Sequence, residues 1–319
     1  MSKDSLPNNV QIVEHQNIKW ISIEHPDKAS MDYLKEQHDF HALDHEDIMT
    51  SIRRSKLDKY EKYLFLILLF PFFNRKTKQI ESAEIDFFIG EDYLITISNG
   101  EIPTFTDMFQ LCETSEQARE SLMTTSPQLL LYKVLQLLFQ YCYPILDHIN
   151  LEIEEIENRI FEKGEKKLLQ EILYVRQNIT DMRKIVQPHR ATLTRLKKPN
   201  VELISRQSFE LEKHYENYFD NLMDYTEEIW NQLDSFKESA DALHETNESL
   251  ISFRINEIMK TLTIFSVILL PASVVAGLFG VNAKHIPFVG HAQDFYIILG
   301  ITLTAILSTL LYIKRKHLL

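Results

Sequence analysis

With 319 residues, 34 Lys and Arg against 46 Asp and Glu, and a formal net charge of -12, the chain is unsuited to nucleic acid, whose phosphates require clustered cations. Its length fits one large domain or two modest ones, and its acidic balance serves solubility and concentrates cations nearby. The two cysteines, Cys112 and Cys142, lie far apart in no CxxC arrangement, which excludes a disulfide framework and suits a reducing cytosol.

The opening MSKDSLPNNV has no apolar core of the signal-peptide kind. Residues 10–24 (VQIVEHQNIKWISIE) read as one or two strands, and MDYLKEQHDF and HEDIMTSIRRS as helices. The apolar run at 64–73 (LFLILLFPFF) is too short to cross a bilayer and contains Pro71, so it reads as a buried strand. Residues 80–98 follow as further strands with short polar turns. From Ser115 the pattern is helical. Residues 126–161 form a nearly uninterrupted amphipathic helix, and a second runs over 165–196 with a break at Gln187-Pro188. Lys198-Pro199-Asn200 is the next break.

Between Val201 and Pro271 there is neither Gly nor Pro. That predicts a helix of roughly 70 residues, on the order of 100 Å long, which is a stalk and not part of a compact domain. Its acids, among them Asp220, Asp224, Glu227, Glu228 and Asp234, read mainly as a solvated face. Residues 261–282 and 295–313 carry no charge, and each run approaches the ~20 residues that span a hydrocarbon core. Arg254 and Lys260 precede the first span and Lys314, Arg315 and Lys316 follow the second, whereas the connection holds only Lys284 with His285 and His291. Basic flanks stay inside, so both termini are expected in the cytosol.

Steps of three and four from Asn256 give Met259, Thr263, Ser266, Leu270, Ser273 and Gly277. This mostly small or polar stripe suits either a pore lining or ordinary helix packing. Pro271 frees a carbonyl in mid-span. Neither span contains Asp, Glu, Lys, Arg or His, so a proton relay within the membrane has no obvious carrier. One helical hairpin cannot enclose a pore, so permeation requires a cyclic homo-oligomer.

The segment RINEIMKTLTIFSVILLPASVVAGLFGVN (254–282) closely resembles the first transmembrane segment of CorA-type divalent cation transporters. Asn256, Glu257, Met259, Lys260, Leu262, Thr263, Pro271, Ala276, Gly277, Gly280 and Asn282 stand at the family's spacing, and FHALDHEDI and GEDYLITI match its early cytosolic helix and a sheet strand. The resemblance covers essentially the whole chain. It implies an α+β cytosolic domain, a long stalk helix and two C-terminal transmembrane helices in a funnel-shaped homopentamer. The expected partners are thus further copies of the chain, the bilayer and divalent ions. No nucleic acid, catalytic residue or cofactor is expected.

The implied division is a cytosolic α/β/α domain with helical hairpin at 1–200, a stalk at 201–260, the pore-lining span at 261–282, an outer loop at 283–294, the second span at 295–313 and a basic tail at 314–319. Gly280, Val281 and Asn282 would form the pore mouth, with Asn282 holding the ion through its hydration shell. Asn256, Met259, Leu262, Thr263, Leu270, Ser273 and Gly277 would line the pore, with apolar constrictions at Met259, Leu262 and Leu270. Cytosolic metal at Asp220 and Asp224 would hold the pore closed. The expected activity is Mg2+ influx across the bacterial inner membrane.

Val281 departs from the Gly-Met-Asn signature, and the loop carries His285 and His291 in place of an acidic motif. Imidazole favours Zn, Co or Ni, so a zinc transporter of the same family, proton-coupled, is the alternative. A non-transporting membrane scaffold is the alternative from another class. His38, His41 and His45, at i, i+3 and i+7, fall roughly on one helix face, which would suit a membrane-anchored metalloenzyme. No nucleophile, phosphate loop or HExxH accompanies them.

Overall fold

Six strands, β1 (Val10–His15), β2 (Ile18–Glu24), β3 (Lys56–Lys59), β4 (Leu64–Asn74), β5 (Gln79–Ile89) and β6 (Tyr93–Ser98), form one mixed sheet in order β1-β2-β6-β5-β4-β3. They belong to a computed structural model that describes residues 6–51, 54–123, 126–161, 166–197, 209–281 and 293–315. Among the described residues only the β2–β6 pair is parallel. The chain divides into two units, Met1–His244 and Glu245–Leu319.

In the first unit, α1 (Lys28–Gln37) and α2 (Ala42–Thr50) cover one face of the sheet. Met31, Leu34 and Ile48 pack there on Ile21, Ile23, Ile67, Phe88, Ile95 and Ile97. Asp27 starts α1 with a reciprocal capping box to Ser30, which satisfies two orphan helix donors at once. The opposite face meets α3 (Pro103–Thr114) and α5 (Pro127–Gln140). Trp20 stands edge-on to Phe109 with ring centroids 5.0 Å apart, and Phe70 meets Phe139 at 5.4 Å. A short α4 (Glu116–Leu122), then α6 (Cys142–Arg159), α7 (Lys166–Val186) and α8 (His189–Lys197) complete the helical layer.

The run at 64–73 lies in strand β4, as expected of an apolar stretch too short to cross a bilayer. Pro71 is tolerated because β3 pairs only with Leu64–Ile67, leaving Pro71 with β5 alone, an edge position where no donor is missed. The long helix expected at 126–161 is two segments, α5 and α6, meeting at Tyr141. Tyr141 keeps right-handed helical angles, so the junction is a minor interruption. Sequence reasoning overlooked β3 and α3. The break at Gln187-Pro188 separates α7 from α8 as expected.

His189, at the start of α8, is fully buried and its Nε2 lies 2.7 Å from the Leu69 carbonyl. Burial pushes the imidazole down to about 4 from its ordinary 6.5. A depressed folded-state pKa gives stability that is complete above pH 6.5 and is lost as pH falls toward 4, because only the unfolded chain takes up the proton there. That window is worth about 3 kcal/mol. The His189→Gln variant, which can still donate to Leu69, is expected to lose this acid sensitivity. Thermal midpoints from pH 7 to 4 test it, and equal slopes for the two proteins would refute it.

Candidate functional site: the α9 stripe and its anchors

Helix α9 (Phe209–Gly280) is continuous over 72 residues. Within the first unit it buries Phe219, Leu222, Thr226, Ile229, Leu233, Ala240 and Leu243, spaced by threes, fours and one seven. That is the a/d stripe of a helix packed along neighbours. Its acids are not a bare solvated face. Asp220 accepts from Lys197 Nζ at 2.7 Å, Asp234 from Arg183 at 2.5 Å, and Glu228 from the Tyr143 hydroxyl at 2.6 Å. Asp241 meets Arg176 at 2.9 Å. Such exposed pairs are screened by solvent and act mainly to set the register of α9. Asp224, by contrast, is exposed. The two predicted regulatory acids therefore differ, because Asp220 already has a cation. Lys197 was missed from the sequence, and a basic residue just before a helix break is a weak signal.

In the second unit, α9 from Glu245 to Gly280 is followed by α10 (Asp294–Arg315). By length and composition three described segments could cross a membrane: Pro127–Arg159, Glu216–Gly280 and Asp294–Tyr312. Half of the first one's apolar window is buried within the first unit, whereas the windows of the other two are uncovered. Leu262, Leu269, Leu270, Leu278, Leu303, Leu307 and Leu311 are all well exposed. A continuous apolar surface of this kind marks a membrane or protein contact. Helix α10 ends in Lys314 and Arg315.

Asn256, Met259, Leu262, Thr263, Leu270, Ser273 and Gly277 are exposed on this one α9 helix, and at 100° per residue they occupy about a third of its circumference. The hydroxyls of Thr263 and Ser266 donate to the carbonyls of Met259 and Leu262 at 2.7 and 2.9 Å. Each donor is thus satisfied within the helix, leaving oxygen lone pairs facing outward as acceptors. Thr302, Thr304, Ser308 and Thr309 in α10 do the same. An acceptor-only surface suits water molecules that point their hydrogens away from a cation. Pro271 lies inside α9, where its missing N–H leaves the Val267 carbonyl without the usual partner. Gly280 ends the helix, Val281 begins a bend and is exposed, and Asn282, His285, His291 and Lys316 lie outside the described residues.

The three N-terminal histidines do not share a helix. His38 caps the end of α1 and His41 the start of α2. His45 is buried in α2, with its imidazole pKa held low by burial. Among the described residues no group of three or more His, Cys, Asp or Glu could hold a metal.

The family model described as CorA-like Mg2+ transporter protein matches residues 15–315. The Cobalt/magnesium transport protein CorA of Thermotoga maritima is 24% identical over 86% of this chain and 76% of its own length. The Putative metal ion transporter YfjQ of Bacillus subtilis is 24% identical over 96% and 92%. The complete structure of the CorA magnesium transporter from Methanocaldococcus jannaschii superposes with a TM-score of 0.78 at 18% identity, over 95% and 92% of the two chains.

Proposed function

The chain belongs to the CorA-like Mg2+ transporter family, and from that membership we propose that it conducts Mg2+ inward through a homopentamer whose pore is lined by the α9 stripe. Proteins of this family are membrane transporters and not enzymes, and they carry divalent cations as cargo without a cofactor. Stacking five stripes around an axis would turn Asn256, Thr263, Ser273 and Gly277 toward a water-filled path, with Met259, Leu262 and Leu270 as apolar gates that close by dewetting. The observation that carries this reading is that the outward stripe offers oxygen acceptors and no buried charge, which suits a hydrated ion. Gly280, Val281 and Asn282 would form the outer mouth.

The proposed division keeps 1–200 and the stalk at 201–260 in the cytosol. Residues 261–282 and 295–313 span the bacterial inner membrane, 283–294 form the outer loop, and 314–319 return to the cytosol. The basic flanks support both termini being inside. Cytosolic Mg2+ bound at Asp224, with Asp220 released from Lys197, would hold the pore closed. His285, His291 and Val281 favour the second reading, a proton-coupled zinc (or cobalt or nickel) carrier of the same family, because imidazole is the softer donor.

Uptake of Mg2+, Zn2+, Co2+ and Ni2+ into proteoliposomes, with voltage and proton gradient set independently, decides between them. A divalent ion gains about 4.6 kcal/mol per 100 mV, twice the single-charge value, so passive Mg2+ should accumulate by about three decades at -100 mV and ignore the proton gradient. Zinc flux rising with the proton gradient would replace this reading with the zinc one, and absence of any flux would leave the scaffold. In the same vesicles Asp220→Asn with Asp224→Asn should make Mg2+ flux less sensitive to internal Mg2+. Unchanged inhibition would remove both residues from regulation.

A further inference from the structure

On the α2 side of the sheet, a cavity of about 150 Å3 lies between α2 and the ends of β5 and β6. Residues Ser51, Glu84, Asp86, Ser98 and Asn99 supply its polar lining. Glu84 and Asp86 alternate along β5, so both side chains leave the sheet on the face that α2 covers. Asp86 is only 4% exposed. Asp86 Oδ1 has no protein hydrogen-bond partner, a costly condition for a buried polar atom unless something else satisfies it. Asp47 of α2 adds a third negative charge nearby. Burial, then Glu84, then Asp47 drive the Asp86 carboxyl well above the usual range. Lys56 does not relieve it, being engaged by Asp47 at 2.5 Å and Asp58 at 2.6 Å.

We propose that this cavity binds one divalent cation of the hard, oxygen-preferring class, Mg2+ or Mn2+, with Asp86 and Glu84 as its carboxylate anchors. The chemistry and the size agree. Mg2+ keeps several waters and is commonly held by one or two carboxylates, and 150 Å3 accommodates about five waters. The polar lining is entirely oxygen and amide, with no imidazole or thiolate, which disfavours zinc. A dication neutralises the carboxylate pair, fills the unmet hydrogen-bonding capacity of Asp86, and ties α2 to the sheet. The site lies wholly within one chain's first unit, so it stands whether or not the pore reading does.

Full-length protein stripped with EDTA and titrated with Mn2+, with free ion read by electron paramagnetic resonance, tests it. The Glu84→Gln, Asp86→Asn double variant should bind one Mn2+ fewer per chain than the wild type, and Mg2+ should compete for the ion lost. An unchanged count overturns the proposal. The single variant Glu84→Gln, which leaves the deeper carboxyl intact and spares the fold, should weaken that one binding event tenfold or more; unaltered affinity overturns it equally. Transport is read separately in vesicles, so failure here and failure of the transport reading are distinguishable.

Discussion

Replacing Asn282 with alanine is expected to bring divalent-ion uptake down to the background of empty vesicles while the protein still assembles. Mg2+ sheds its water slowly, so a mouth that captures it must bind the hydration shell and not the bare ion. An amide carbonyl accepts hydrogen bonds from that shell without the grip of a carboxylate, which would hold the ion too tightly for it to leave. Hydrogen bonds involving charged partners contribute about 1.5–3 kcal/mol each. The substitution removes the amide from every copy of the chain, and the loss of even two such bonds removes about two to four decades of occupancy. Alanine adds no bulk, so blockage cannot explain the loss. Val281→Met, which restores the commoner signature residue, should leave Mg2+ uptake intact. Radiotracer or fluorescent-dye uptake reads both variants, and wild-type flux through Asn282→Ala would dismiss Asn282 as the mouth of the pore.

Much of the fold was legible in the sequence because the physics there is local. Uncharged runs over 261–282 and 295–313 announce themselves by composition, and the absence of Gly and Pro from 201 to 270 announces a long helix. Strands β4, β5 and β6 follow from apolar and β-branched content. Strand β3 did not, because Lys-Leu-Asp-Lys is an edge segment in which only Leu57 is buried, and a single apolar residue has no period. Helix α3 was missed although Pro103 stands at its first turn, a start signal weakened by an N-cap, Ile102, that offers no side-chain bond. The histidine face failed for a sharper reason: it assumed one helix through residues 38–45, and the backbone is extended at both His38 and His41, between α1 and α2. The acids of β5 were unreadable as a cavity, since alternation predicts that Glu84 and Asp86 share a face but not that α2 closes over it. The cations that answer Asp220 and Asp234 are likewise tertiary, 23 and 51 residues away in sequence.

The same α2 helix carries the largest expected effect on stability. Asp44 is buried and accepts from Tyr60 at 3.0 Å and Tyr63 at 2.8 Å, with Lys56 Nζ 3.7 Å away. The Tyr63 oxygen in turn accepts the His41 backbone N–H at 2.8 Å, so this network clamps the start of α2 to β4. Asp44→Ala leaves the buried Tyr63 hydroxyl without its acceptor, at about 1–3 kcal/mol, and weakens Tyr60, which is only partly exposed. The sum, about 2–4 kcal/mol, corresponds to a fall of roughly 5–15 °C in the thermal midpoint of a unit this size. Asp44→Asn should cost less than half as much, because it keeps one acceptor. Burial raises the Asp44 pKa. Stability from a raised folded-state pKa is complete below the unfolded value and lost as pH rises through the folded one, so wild type carries a penalty at neutral pH that the asparagine variant lacks. The gap between wild type and Asp44→Asn should therefore narrow from pH 4 to 7, while the alanine variant stays the least stable throughout. Because α2 also roofs the Glu84–Asp86 cavity, Asp44→Ala should weaken the Mn2+ binding lost in the double variant. An alanine variant melting with the wild type would mean that the clamp is held by apolar packing of Ile48 and Phe40 alone.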